Sequence, residues 1–111
     1  MKLRQWDVVK VRINPSDRDE HPAVIISPDD VVAVGRRINV LYGTTRRPGM
    51  NVAAHHFVLN GADGLEHPTI VSCAHFYQVD IPAITGHYGH VSSERRRQLA
   101  RKIVATFRLA L

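Results

Sequence analysis

The sequence predicts a small, mainly β domain in which short strands form a barrel closed by one C-terminal helix. Three observations support this fold class. Short apolar runs rich in β-branched residues recur between turn signals, which is typical of small barrels. The 111 residues suffice for one domain with one modest core, and residues 92–111 have helical periodicity.

The central strand is expected at residues 22–27. Its core, Ala23 to Ile26, is an unbroken apolar run with a proline on each side, which indicates a strand buried on both faces. Glu20 and His21 lie at the mouth of this strand, where a rigid core would hold a site in place. The simpler interpretation is that these two residues only solvate a loop.

Further strands are expected on both sides of this run. Val31 to Val34 is compatible with a helical turn or an extended link, and Asn14 to Asp17 has the composition of a turn. Phe76 to Ile81 either continues the preceding strand or forms a separate one. The other expected strands are Trp6 to Ile13, Arg37 to Gly43, Ala54 to Asn60, Pro68 to Cys73 and His87 to Val91.

The C-terminal segment is predicted to be an amphipathic helix over residues 92–111. Ser92 is a suitable N-cap, and Glu94 in the first turn complements the helix dipole. An apolar residue follows at every fourth position, so one stripe should pack on the sheet or on a second subunit. These residues are Leu99, Ile103, Phe107 and Leu111.

Charge is concentrated in the same segment. Residues 92–111 carry six basic side chains against Glu94, a net charge of +5, which equals that of the whole chain. A basic patch favours an anionic partner such as nucleic acid or an acidic peptide, although an exposed helix face can carry such charge for solubility alone.

The composition also limits the cellular setting. The only cysteine, Cys73, cannot form an internal disulfide, which fits a reducing cytoplasm. The N-terminus lacks the apolar stretch of a signal peptide, and no apolar run approaches the ~20 residues that span a bilayer. We therefore expect a cytoplasmic protein that does not enter membranes.

The order of these elements resembles the PemK/MazF family, the toxins of bacterial type II toxin–antitoxin pairs. The resemblance covers residues 6–111. It depends on the run His21 to Pro28, on the pair Thr44 and Thr45 about twenty residues later, and on the order of the strands between and after them. It implies one SH3-like barrel domain over residues 1–111, of the PemK/MazF/CcdB-like type, that forms a homodimer. It also implies a metal-independent endoribonuclease that cuts single-stranded RNA at short sequences and is inhibited by a cognate antitoxin.

The family's site residues transfer to this chain only in part. The arginine that usually precedes the Pro-Ala-Val run is His21 here, and the threonine after the third strand corresponds to Thr44 or Thr45, with Thr45 favoured. A further arginine and aspartate of some members align with Ser72 and Ala74.

Attack by the RNA 2′-hydroxyl requires a base, an acid and a cation near the phosphate. The candidate acid–base residues are His21, His75 and Glu20, and Thr45 can bond a phosphate oxygen. The forked donors of Arg46 and Arg47 suit phosphate. The candidate RNA-binding residues are Thr44, Arg46, Arg47, and the base-stacking Tyr42 and Tyr77.

No metal or other cofactor is expected. His55 and His56 are neighbours on a predicted strand, so they should point to opposite faces, and His87 and His90 lack the spacing of a zinc site. Two alternatives to a nuclease stay open. One is a non-catalytic relative that binds nucleic acid or a protein such as a topoisomerase, and the other is a generic partner-binding barrel.

Overall fold

The computed structural model describes residues 2–12, 14, 16 and 18–111. Two α-helices, six strands and two single-turn 3-10 helices, Gly61–Asp63 and Ile81–Ala83, are present in these residues. The strands are β1 (Asp7–Val11), β2 (His21–Ile25), β3 (Arg37–Thr45), β4 (His56–Leu59), β5 (Thr69–Asp80) and β6 (Ile84–His90). The helices are α1 (Asp29–Val34) and α2 (Ser93–Phe107).

All six strands belong to one curled antiparallel sheet with the order β4-β5-β3-β2-β1-β6. The predicted mainly β fold with a C-terminal helix is therefore confirmed. β2 lies inside the sheet, and its side chains alternate between two separate cores. Val24 packs in the core that includes Leu99 of α2, whereas Ala23 and Ile25 pack in the core that includes Val32 of α1. This is the strand buried on both faces that the apolar run predicts.

Two points that the sequence leaves open are decided by the structure. Val31 to Val34 is helical, as part of α1, which ends where the Gly35 N–H donates to the Val31 carbonyl at 2.7 Å. β5 is one continuous strand, and its pairing with β3 shifts register between Leu41 and Gly43. This irregularity bends the strand without ending it, because pairing resumes on both sides of the shift.

Some predicted boundaries differ from those observed. β1 ends at Val11, and the predicted end at Ile13 lies outside the described residues, as do two positions of the predicted turn, Pro15 and Asp17. Within that turn, Ser16 N donates to Asn14 Oδ1 at 3.0 Å.

Helix α2 begins as predicted but is shorter. The Ser92 hydroxyl accepts a hydrogen bond from the Arg95 N–H, which confirms the N-cap. The predicted end at Leu111 is wrong, because Arg108 adopts a left-handed conformation with φ 41° and ends the helix after Phe107.

The curl of the sheet brings β6 against the turn that follows β4. Gly64, with φ 89°, and Gly89 make this approach possible. A Cβ at Gly64 would lie 2.4 Å from the Tyr88 carbonyl oxygen, and one at Gly89 would lie 2.6 Å from the Asp63 carbonyl oxygen.

Helix α2 is held to the same turn by a buried ion pair. The Arg95 guanidinium donates to both carboxylate oxygens of Asp63, at 2.9 and 2.8 Å, and to the Val58 carbonyl at 2.7 Å. Asp63 is fully buried, and its carboxylate also accepts from the Asn60 N–H. The helix is therefore fixed on the sheet by charge and hydrogen bonds as well as by the apolar packing of Leu99.

Candidate RNA-cleavage site

Three neighbouring strands carry a row of rings across the sheet. His21 begins β2, Tyr42 lies on β3 and Tyr77 lies on β5. The ring centroids of His21 and Tyr42 are 4.8 Å apart, and those of Tyr42 and Tyr77 are 5.4 Å apart. The sequence separates these residues widely, but the strand order β2-β3-β5 makes them neighbours.

A cavity of about 220 Å³ lies beside this row, between β3, β4 and β5. We call it the β3–β5 cavity. Tyr42, Thr44, His75 and Tyr77 are sequence-predicted residues that line it. The other lining residues are Met50, His56, Ile70 and Ser72.

Thr44 and Thr45 differ in position although they are adjacent. Both threonines are exposed, but only Thr44 lines the β3–β5 cavity, whereas Thr45 pairs with Thr69 at the end of β3. Successive residues of a strand point to opposite faces, so one threonine at most can face the cavity directly. The geometry thus favours Thr44 where the family resemblance favours Thr45.

The basic loop follows β3 at the rim of the cavity. Arg46 N donates to the Pro68 carbonyl at 2.8 Å, and Met50 N donates to the Arg47 carbonyl at 3.1 Å. Met50 lines the cavity, whereas Arg46 and Arg47 precede it in the same loop and are not among the lining residues. In the part of the chain that the structure describes, neither guanidinium is paired with a carboxylate.

Glu20 lies apart from the cavity. Its carboxylate accepts a hydrogen bond from the Thr85 hydroxyl and lies 3.5 Å from Nη2 of Arg12. Both partners are on the β1 and β6 side of the molecule, and Glu20 does not line the β3–β5 cavity. Glu20 therefore contacts a different part of the molecule from His21, although the two residues are adjacent in the sequence.

His56 also lines the cavity. From the sequence alone, this residue is a candidate only for metal binding. Burial lowers the pKa of His56, with smaller contributions in the same direction from His55 and Lys102. Its Nδ1 lies 3.0 Å from the Ala53 N–H and accepts that hydrogen bond, so the proton of the neutral ring is assigned to Nε2. His56 therefore adds a hydrogen-bond donor to the site.

The expectation that His55 and His56 point to opposite faces is only partly met. They line different cavities, but their ring centroids are 4.4 Å apart. The rings touch because His55 precedes the first residue of β4 and is not held to the alternation of a strand.

A second histidine cluster lies on the opposite edge of the sheet. His90 Nδ1 and His87 Nε2 lie 2.9 and 3.4 Å from the carboxylate of Asp7, which is 3 % exposed and also accepts from the Arg4 N–H. These contacts occupy both carboxylate oxygens. The described residues contain no group of three or more His, Cys, Asp or Glu side chains that could hold a metal ion.

Three other lining residues were not among the sequence-predicted site residues, although Ser72 aligns with a family arginine: Met50, Ile70 and Ser72. Ser72 pairs with His56 across β4 and β5, and its hydroxyl accepts from the Ala74 N–H at 3.2 Å. Predicting from sequence that Ser72 lies beside His56 would have required the register of β4 against β5, and no local sequence pattern specifies that register.

Solved structures with the same fold are toxins and endoribonucleases. The Mycobacterium tuberculosis toxin MazF-mt6 superposes with a TM-score of 0.77 at 18% identity, over 95% of this chain and 99% of that one. An endoribonuclease in complex with its cognate antitoxin, from a mycobacterial species, gives 0.79 at 12% identity, over 98% of each chain. The MazE–MazF structure from Deinococcus radiodurans gives 0.77 at 14% identity, over 99% of this chain and 100% of that one.

These likenesses define the class as a MazF-type toxin fold. The family model described as the PemK-like, MazF-like toxin of type II toxin–antitoxin systems matches residues 4–107. The chain therefore belongs to the PemK/MazF toxin family, as the resemblance in its sequence predicted. A comparison with curated proteins found no match.

Proposed function

We propose that this toxin is a metal-independent endoribonuclease that cuts single-stranded RNA at a short sequence. The observation that carries the proposal is the β3–β5 cavity, in which two histidines, a threonine and two tyrosines meet close to the start of the loop that carries Arg46 and Arg47. Family membership and the endoribonuclease names of the structural neighbours give independent support.

The acid–base chemistry can be assigned to His75, which lines the cavity, and to His21, which does not line it but contacts its lining residue Tyr42. His75 is exposed at the cavity and can exchange the proton of the 2′-hydroxyl or of the leaving oxygen. His21, at the end of the ring row, is the second acid–base group or, when protonated, the cation that replaces the family arginine.

Binding of the phosphate and bases falls to the remaining residues. Thr44 or Thr45 donates a hydrogen bond to a phosphate oxygen, and Arg46 and Arg47 neutralise the charge that develops on it. Tyr42 and Tyr77 offer ring faces for base stacking. We assign Glu20 a positioning role, because its bonds to Thr85 and Arg12 hold the loop that leads into His21.

The test is cleavage of a long, mostly single-stranded RNA by purified protein in EDTA. We expect cuts at a recurring short sequence, and at least a hundredfold loss for His75→Ala and His21→Ala, since acid–base groups contribute roughly 10²–10⁴-fold. Thr44→Val and Thr45→Val form a matched pair of adjacent substitutions. Loss of activity only in Thr44→Val would place the phosphate in the cavity, and loss only in Thr45→Val would place it outside.

A non-catalytic RNA- or protein-binding toxin is the alternative, and one observation favours it. The positions of the family's two arginines hold His21 and Ser72, and the position of its aspartate holds Ala74. Folded protein that binds the same RNA without cutting it would establish this alternative and refute the nuclease.

The partners expected from the family are also part of the proposal. We infer that the toxin is held inactive by a cognate antitoxin with an acidic segment, because the site rim and α2 are basic and two neighbours are antitoxin complexes. The setting is a cytoplasmic one. In the described residues no helix is long and apolar enough to cross a membrane.

A further inference from the structure

A second concave surface, separate from the β3–β5 cavity, lies along α2. It has a volume of about 670 Å³, within the range of about 300–1,000 Å³ typical of ligand sites. One wall consists of residues of α2 from Gln98 to Thr106 together with Arg108, which follows the helix, and the other consists of Ala54, His55 and Ala74. We call this surface the α2 groove.

The charge of the α2 groove has one sign. Arg101, Lys102 and Arg108 line it, and no carboxylate does. Among the described residues Arg101 and Arg108 form no ion pair, in contrast to Arg95, whose charge is neutralised by Asp63. The Nζ of Lys102 donates to the His56 carbonyl at 2.9 Å. A groove of this kind attracts a polyanion.

The groove adjoins the proposed active site. His55 lines the groove and His56 lines the β3–β5 cavity, with their rings in contact at 4.4 Å. Ala74 of the groove likewise precedes His75 of the cavity. The cavity and the groove therefore meet at the contact between His55 and His56.

We propose that the α2 groove binds the phosphate backbone of single-stranded RNA that extends beyond the cleavage site. The choice of RNA as the occupant depends on the proposed function. Charge complementarity and the lining support it, because the groove has three cations but only small or polar neighbours such as Ala54, Ala74 and Gln98. Such a lining can bind phosphates of any base sequence, because the cations contact the backbone of the RNA.

The spacing of the cations suits more than one phosphate. Arg101 lies on α2 and Arg108 follows its last residue, Phe107. The helix from Arg101 to Phe107 spans about 9 Å at ~1.5 Å per residue, so the two arginines lie at separate points along the groove. The groove therefore predicts that RNA affinity depends on length. A short RNA that fills only the cavity should not contact these arginines, so its affinity should not depend on them.

The test measures binding without cleavage. Fluorescence anisotropy would compare labelled 2′-O-methyl RNAs of about 5 and about 12 nucleotides, in which the attacking hydroxyl is blocked, for wild type and the double variant Arg101→Gln/Arg108→Gln. We expect about tenfold weaker binding of the longer RNA and a salt slope lower by about 1.4, at about 0.7 per phosphate contact. Binding of the shorter RNA should not change.

The matched control is Arg96→Gln/Arg97→Gln, which removes the same charge from α2 outside the groove. Circular dichroism would verify that both variants are folded. An equal loss in this control, no loss in the groove variant, or an equal loss for both RNA lengths would each overturn the proposal. So would groove-dependent binding of poly-glutamate without groove-dependent binding of RNA.

This design separates the groove from the nuclease. If unmodified RNA is not cut but the longer RNA still depends on Arg101 and Arg108, the proposed function fails and the groove stands. If RNA is cut and the groove variant binds like wild type, the groove fails and the nuclease stands.

Discussion

At the scale of single residues, the ion pair between Asp63 and Arg95 is the contact whose loss should cost the fold most. Asp63 is fully buried and both its oxygens bind the guanidinium. Arg95→Met would leave a buried carboxylate without its cation, so we expect the free energy of unfolding to fall by about 3–5 kcal/mol. Urea denaturation would measure this change.

The same substitution at Arg97 is the control for that experiment. Arg97 is exposed on the same helix, and no ion pair is found for it in the described part of the chain. Arg97→Met should therefore leave the denaturation midpoint close to that of wild type. Equal midpoints for the two variants would show that the Asp63–Arg95 pair does not stabilise the fold.

The single cysteine gives a second prediction at this scale. Burial raises the pKa of the Cys73 thiol to about 11, from an ordinary value of 9.0. The thiol should therefore resist iodoacetamide at pH 8 in the folded protein and react after unfolding, because the thiolate is the nucleophile. Rapid alkylation of folded protein, followed by mass spectrometry, would contradict this.

The same pKa predicts how stability depends on pH. Because the folded pKa is raised, the unfolded chain releases this proton first as pH increases. The contribution of Cys73 to stability is present below about pH 9 and is lost as pH rises toward 11. Cys73→Ala should lack this part of the alkaline loss.

At the scale of elements, the contact between β6 and the turn after β4 sets the curl of the sheet. Gly64→Ala would place a side chain in a left-handed conformation and within 2.4 Å of a backbone oxygen. We expect a loss of at least about 1–3 kcal/mol, the usual cost of such strain, measured by thermal or urea denaturation.

Gly61→Ala is the matched control, because a Cβ at Gly61 has no neighbour within 4 Å and its backbone is not left-handed. This variant should remain near wild type in stability. If Gly61→Ala and Gly64→Ala were equally stable, the close approach at Gly64 would not be needed for the curl.

The elements also show where local pattern is sufficient. The β2 run and the Ser92 cap were predictable, because a bounded apolar run and a capping residue act within a few residues of themselves. The end of α2 was not, since φ 41° at Arg108 is unusual for a residue that is not glycine. The continuity of β5 depends on its pairing with β3, and this pairing is a long-range property.

At the scale of the whole molecule, apolar side chains remain exposed around the end of α2. Val104 and Leu109 are 75% and 80% exposed, and Phe107 stacks on Phe76 with 5.6 Å between ring centroids. This patch supports the expected homodimer, because burying it against a second copy removes apolar surface from water.

Light scattering at micromolar concentration should give a dimer mass for wild type. Val104→Lys should shift the mass toward the monomer, and Val34→Lys is a suitable control because Val34 is also exposed but lies on α1. A monomeric wild type, or equal dimer masses for both variants, would count against a dimer formed through α2.

The sequence by itself determined the fold class, the central strand, the start of α2 and the toxin family. Those features depend on short-range sequence patterns and on the order of motifs along the chain. It also indicated Tyr42, Thr44, His75 and Tyr77, which the structure brings to one cavity.

Only the tertiary structure decided what surrounds them. His56 and Ser72 also line the cavity, and His55 lines the α2 groove. Glu20 binds Arg12 and Thr85 instead. These relations follow from strand register and the curl of the sheet, which pair residues far apart in the chain. A shift of one residue in register would reverse every face, so no local pattern could have specified them.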